Sequence, residues 1–139
     1  MSAEPSHLDD FYKWTREQAK LLRARQFDAL DVEAIAEELE LAGRRDLLAF
    51  RETASHALAL ILRTMCWPDI GTESILWIGA GELRHGAATL YSPSMRDKID
   101  MQEIYERAKR WLPAEVDGKL PLPLPEKCPV TLDELLSEE

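Results

Sequence analysis

Apolar residues recur at steps of three and four from Val32 through Leu39, Phe50, Ala54, Leu58 and Ile61 to Met65 without losing phase, and this run limits the fold more than any other feature. Such a period specifies one long helix over about 31–66. Asp31 stands at its start, where a carboxylate accepts bonds from the free N–H groups of the first turn. Pro68 stops it, because proline donates no hydrogen bond and clashes with the preceding turn. Gly43 costs a helix interior about 1 kcal/mol, but the stripe keeps its register through it, so the helix is read as continuous or kinked there. From Ala57 to Leu62 no polar face remains. That half is expected at the centre of the core.

The remaining segments are also helical or extended. Leu8 to Gln26 reads as an amphipathic helix with Leu8, Phe11, Tyr12, Ala19 and Leu22 inward and Lys13, Arg16, Lys20 and Arg23 outward. Phe27 to Leu30 is a connector. Thr72 is placed to cap a helix over Glu73–Leu90, interrupted by Gly79, Gly81 and Gly86, which either let a neighbouring helix approach closely or weaken the helix for bending. Ser92 and Pro93 form a helix-start pair, and Asp100 with Glu103 has the spacing of a capping box opening a helix to Leu112. Five of the eight prolines fall between Pro113 and Pro129, so this stretch is extended. Thr131 and Glu134 form a last capping box. No segment alternates as a strand does. The expected fold is all-α: a single helical domain over 1–139, bundled around the 31–66 helix, with 113–139 as an extended strap and short terminal helix.

Charge and cysteine usage narrow the partners. With 26 Asp and Glu against 17 Lys and Arg the formal charge is −9, which repels a polyanion, and no basic cluster stands free of acidic neighbours. Nucleic acid is not an expected partner. The longest uncharged apolar stretch, Thr53 to Leu62, is well short of the roughly 20 residues that span a bilayer, so no membrane segment is expected. Glu4, Asp9 and Asp10 occupy positions where a signal peptide carries basic residues, and the expected location is cytoplasmic. Cys66 and Cys128 lack a CxxC partner and are expected reduced.

Catalytic signals are sparse. Glu82-x-x-His85 has the spacing by which helical bundles bind di-iron, and Glu52 with His56 adds an i, i+4 pair. A di-iron centre needs a second such motif on a helix, whereas the other match, Glu4-Pro5-Ser6-His7, precedes the first helix. Glu82, His85 and His56 are therefore held as metal candidates against the simpler reading of a solvated carboxylate and ordinary histidines. Gly79-Ala80-Gly81 with Gly86 meets neither nucleotide fingerprint. No cofactor is expected. Glu33, Glu37 and Glu40, with Glu38, form an acidic face beside the apolar stripe, either solvated or a docking surface for a basic partner. Trp67, Trp77 and Ile78 flank the Pro68 junction, either as core cover or as contact anchors, since Trp is enriched at binding hot spots.

Several spaced motifs resemble one family. Asp10-Phe11-Tyr12-x-Trp14, Gln18-Ala19-x-Leu21-Leu22-Arg23, Phe27-Asp28-x-Leu30-Asp31, Ala36-Glu37-Glu38-Leu39-Glu40 and the tail Cys128-Pro129-Val130-Thr131-Leu132-Asp133-Glu134-Leu135-Leu136 are similar to the bacterial domain of unknown function 29 family. The resemblance implies an all-helical bundle and carries no established activity. The middle departs from it: Leu60-Ile61-Leu62-Arg63-Thr64 and Leu76-Trp77-Ile78-Gly79-Ala80 are more apolar than the family's His-bearing and Arg-rich stretches, which points to burial or a protein contact. The expected function is a non-catalytic helical interaction or assembly module, self-associating, with a metal-dependent or metal-binding bundle as the alternative.

Overall fold

The computed structural model describes residues 9–137, and their regular structure is helical. The elements are α1 (Phe11–Arg23), a 3-10 turn (Phe27–Ala29), α2 (Val32–Cys66), α3 (Glu73–Leu90), a second 3-10 turn (Pro93–Lys98), α4 (Met101–Lys109) and α5 (Leu132–Leu136). The long helix is one element through Gly43. The residues fall into two compact units that divide within α2, between Arg44 and Arg45.

In the first unit Asp10 caps α1 by accepting from the Lys13 N–H, and Trp14 is its buried side chain. The inward stripe differs from the one the sequence suggests. Trp14, Gln18 and Leu21, spaced i, i+4, i+7, are covered together with the expected Ala19, while Phe11, Tyr12 and Leu22 are exposed. Leu8 lies outside the described residues. Gln18 explains the choice of face, since its Oε1 accepts the Asp31 N–H at 2.9 Å and ties α1 to the start of α2. Asp31 caps α2 as expected, its carboxylate accepting from Ala34 N–H at 3.4 Å. Val32 and Leu39 stay exposed, against the expectation that the whole α2 stripe is core, because no described side chain covers them.

The second unit holds the main core. Phe50, Ala54, Leu58 and Leu62 of α2 pack with Ala87 of α3, Ile104, Tyr105 and Ala108 of α4, and Leu132 and Leu135 of α5. Met65, also expected inside, is exposed. One of the α3 glycines acts as a close-approach point: a Cβ on Gly79 would lie 3.1 Å from Leu60 Cδ1, whereas one on Gly86 would make ordinary contact with Thr53 Cγ2 at 3.7 Å. Gly81 faces open space. Thr72 sits at the α3 N-cap without a side-chain bond, and Asp100 caps α4 by accepting from Gln102 N–H at 2.9 Å in place of the expected box with Glu103. Past Lys109 the chain tightens into i, i+3 bonds from Trp111 and Leu112, which ends α4 three residues before the expected Leu112.

Residues 113–131 carry no regular helix and are held by backbone acceptors. Asp117 and Gly118, both at positive φ, close a two-residue turn between Val116 and Lys119, the turn chemistry of an Asp-Gly hairpin in a segment too short to alternate as a strand. Trp67 Nε1 donates to Lys119 O at 2.9 Å, Leu122 N–H to Cys66 O at 2.9 Å, and Tyr105 Oη to Pro125 O. Gln102 holds the next stretch from both ends of its amide, donating to Glu126 O at 3.1 Å and accepting from Cys128 N–H at 2.8 Å. The Thr131 and Glu134 capping box is complete.

Candidate functional site

The acidic residues singled out in the sequence lie on the first turns of α2, a helix that begins with free N–H groups and tolerates carboxylates there. Glu33, Glu37 and Glu40 are exposed, and Glu38 is half-buried. None of these four makes an ion pair with a described residue. In the same unit α1 presents Lys13, Arg16, Lys20 and Arg23 outward. Lys13 reaches Glu17 at 3.9 Å across a solvated turn, and Arg16 lies over the Tyr12 ring. Exposed apolar residues sit among these charges: Phe27 is 60% and Leu39 is 69% exposed, joined by Phe11, Tyr12, Leu22 and Val32.

The histidine candidates occupy different surroundings on the second unit. Glu82 and His85 are exposed, with His85 beside Arg84, Leu136 and Ser137. His56 sits instead on α2 beneath Trp111, the two rings meeting edge-on at 4.4 Å and 89°. No group of three metal-ligating side chains gathers among the described residues. The sequence match Glu4-Pro5-Ser6-His7 lies outside them. Helical spacing brings Glu82 and His85 onto neighbouring turns, but nothing in the fold adds the two further carboxylates that a bundle metal centre uses.

His56 is notable for another reason. Its Nε2 is buried and lacks a hydrogen-bond partner, in a fold where such groups are normally satisfied. The ring lines a cavity of about 310 Å³, walled by Leu60, Leu83, Trp111 and Leu112, with Arg63 one helical turn beyond Leu60. The sequence signalled none of this, since Trp111 and Leu83 reach His56 from other elements.

Of the aromatic candidates, Trp67 is 4% exposed and its indole N–H is bonded to Lys119 O, so it is cover for the core and not a surface anchor. Trp77 is 50% and Ile78 66% exposed on the opening turns of α3. Neither Cys66 nor Cys128 is in a disulfide. Burial raises the Cys66 thiol pKa and likewise that of Cys128, whose thiol donates to Val130 O at 3.1 Å. A raised pKa leaves less thiolate at neutral pH. Residues missed in the sequence include Arg84, whose guanidinium binds the carbonyls of Glu134 and Leu135 at 2.8 and 3.0 Å and that of Ser137. It closes the C-terminus of α5.

No helix of the described residues is long and apolar enough to cross a membrane. No curated protein matches the chain in sequence. In fold it is similar to the crystal structure of an α-helical protein of unknown function from Rhodospirillum rubrum, at a TM-score of 0.65 and 22% identity, covering 99% of this chain and 92% of that one. The spaced motifs from Asp10 to Leu136 lie within a match that runs over residues 7–139, and on that match the chain belongs to the family described as Domain of unknown function DUF29.

Proposed function

We propose that this chain is a helical assembly module that pairs with a second copy of itself through the residues of its first unit, α1 and the opening of α2. The observation that carries the reading is the imbalance within that unit. Among its described residues only Trp14 and Ala34 are buried, while Phe11, Tyr12, Leu22, Phe27, Val32 and Leu39 are exposed. Units of this size stabilise themselves poorly even with a full core. These six residues offer on the order of 650 Å² of surface, close to the roughly 800 Å² that each partner contributes to a stable interface.

Charge supports a second copy as the occupant. The same unit carries an exposed basic row, Lys13, Arg16, Lys20 and Arg23, and an exposed acidic row, Glu33, Glu37 and Glu40. A twofold contact places any surface patch against itself, so one copy's basic row can meet the other's acidic row. Two helix pairs joined in this way make a four-helix arrangement. The local pairing offsets the repulsion between two chains of charge −9.

Light scattering after size exclusion tests the reading at about 100 μM chain and low salt, with circular dichroism as the check on folding. The expected mass is twice that of the 15.9 kDa chain. Leu39→Glu is expected to return it to the single-chain value, whereas Ile78→Glu leaves the dimer intact. A single-chain mass for the unmodified protein overturns the proposal. So does a dimer that survives Leu39→Glu and is lost with Ile78→Glu, which would place the contact on α3 at Trp77 and Ile78.

A further inference from the structure

The cavity over His56 is an open hollow in the surface of the second unit. Its walls are apolar, from Leu60 on α2, Leu83 on α3, and Trp111 and Leu112 just past α4. Two polar groups converge on it from one face of α2. His56 contributes an imidazole whose Nε2 is buried and unpartnered. Arg63, two turns further along, contributes a half-buried guanidinium that no described residue pairs with. Largely apolar walls with a few convergent polar groups are the usual composition of a ligand site, and about 310 Å³ lies at the lower end of their size range.

The unmet hydrogen bonds define the ligand's chemistry. A buried nitrogen without a partner is a standing cost that an incoming polar group removes. An unpaired guanidinium presents a planar fork of N–H donors matched to a carboxylate. Leu60 lies between these two groups along the helix, so a ligand that meets both covers an apolar side chain on the way. We infer that the cavity binds a small monocarboxylic acid with an apolar body, its carboxylate on Arg63, its chain or ring against Leu60 and Leu83, and a polar edge within reach of His56.

Trp111 is the movable wall. It is half exposed, lies edge-on to His56, and belongs to the i, i+3 turn beyond α4, where only single-turn bonds hold the backbone. A ligand that reaches the His56 nitrogen therefore displaces or slides along the Trp111 ring. At the packing density of protein interiors the cavity admits about ten non-hydrogen atoms. Ligands of that size bind with dissociation constants of about 0.1–1 mM when the fit is ordinary.

Calorimetry and heteronuclear NMR on the full chain test this with 6-hydroxyhexanoate and 3-(4-hydroxyphenyl)propanoate, whose hydroxyls supply the edge for His56, each set against its alcohol, 1,6-hexanediol or 3-(4-hydroxyphenyl)propan-1-ol. The expected result is saturable binding of the acids, with shifts confined to the His56 ring, the Trp111 indole and the Leu60 and Leu83 methyls. Arg63→Gln is expected to weaken the acids about tenfold and leave the alcohols unchanged. Because Arg63 makes no side-chain bond, that variant keeps the fold. Leu83→Trp, which fills the cavity, is expected to remove binding of both, with the NMR spectrum reporting that the chain remains folded. No binding of either acid at 10 mM overturns the inference, as do equal affinities for acid and alcohol, or acid binding that Arg63→Gln does not alter.

Discussion

Arg25 shows how one residue can strain a junction that is otherwise well built. Its N–H donates to Leu22 O at 3.0 Å and the Gln26 N–H donates to Leu21 O at 2.9 Å, the paired bonds of a Schellman end, with Arg25 at φ +58°. Glycine normally takes that position, because a Cβ there costs roughly 1–2 kcal/mol, part of which is returned by the restricted unfolded chain. Arg25→Gly is expected to stabilise the α1 end by about 0.5–1 kcal/mol, seen as about threefold slower hydrogen exchange of the α1 amides. Unchanged or faster exchange contradicts it. Cys66 gives a second prediction at this scale. Burial raises its thiol pKa, so the folded chain holds the proton more tightly than the unfolded chain. The corresponding stability is complete below the ordinary thiol range and is lost as pH rises through the folded value. Iodoacetamide at pH 8 is expected to alkylate Cys66 at least about tenfold more slowly in the folded chain than in urea, read by mass spectrometry. Equal rates would mean the thiolate is accessible.

At the scale of elements, what was legible in the sequence was local. Asp31, Pro68 and the Thr131–Glu134 box act within one turn of themselves, and each bounds its element as read. Of the three α3 glycines read as close-approach residues from their size, only Gly79 is one. The inward face of α1 was not legible, because apolar residues surround that helix on several sides and the choice was made by Gln18 reaching Asp31 across 13 positions. The cavity over His56 was illegible for the same reason, since its walls come from three separated segments. Arg84 is another long-range actor, tying α3 to the free carbonyls that end α5. A five-residue helix has too few internal bonds to hold itself. Arg84→Gln is therefore expected to cost about 1–3 kcal/mol, because it unpairs carbonyls that the guanidinium holds. Urea denaturation measures that loss, and proteolysis at the Leu132–Leu136 segment should appear first in the variant. An unchanged midpoint would show that Leu132 and Leu135, buried in the core, suffice to dock the helix.

At the scale of the whole molecule the two units differ in how much of their apolar surface is buried within the chain. The second has a connected core running from Phe50 to Leu135, whereas the first leaves most of its large apolar residues exposed. If a second copy completes the first unit, stability becomes a matter of mass action there and not in the core. Hydrogen exchange at two chain concentrations separates the cases. Raising the chain from about 1 to 100 μM is expected to slow the amides of 12–38 by as much as about tenfold, while amides of 54–62 exchange at the same rate at both. Leu39→Glu is expected to abolish the difference without altering the second unit. Added salt is expected to shrink it, since the contribution of the facing charged rows is screened. Exchange in 12–38 that is independent of concentration would remove self-association as the source of the first unit's order, whatever the second unit does, and would leave its exposed apolar residues to a partner of different sequence.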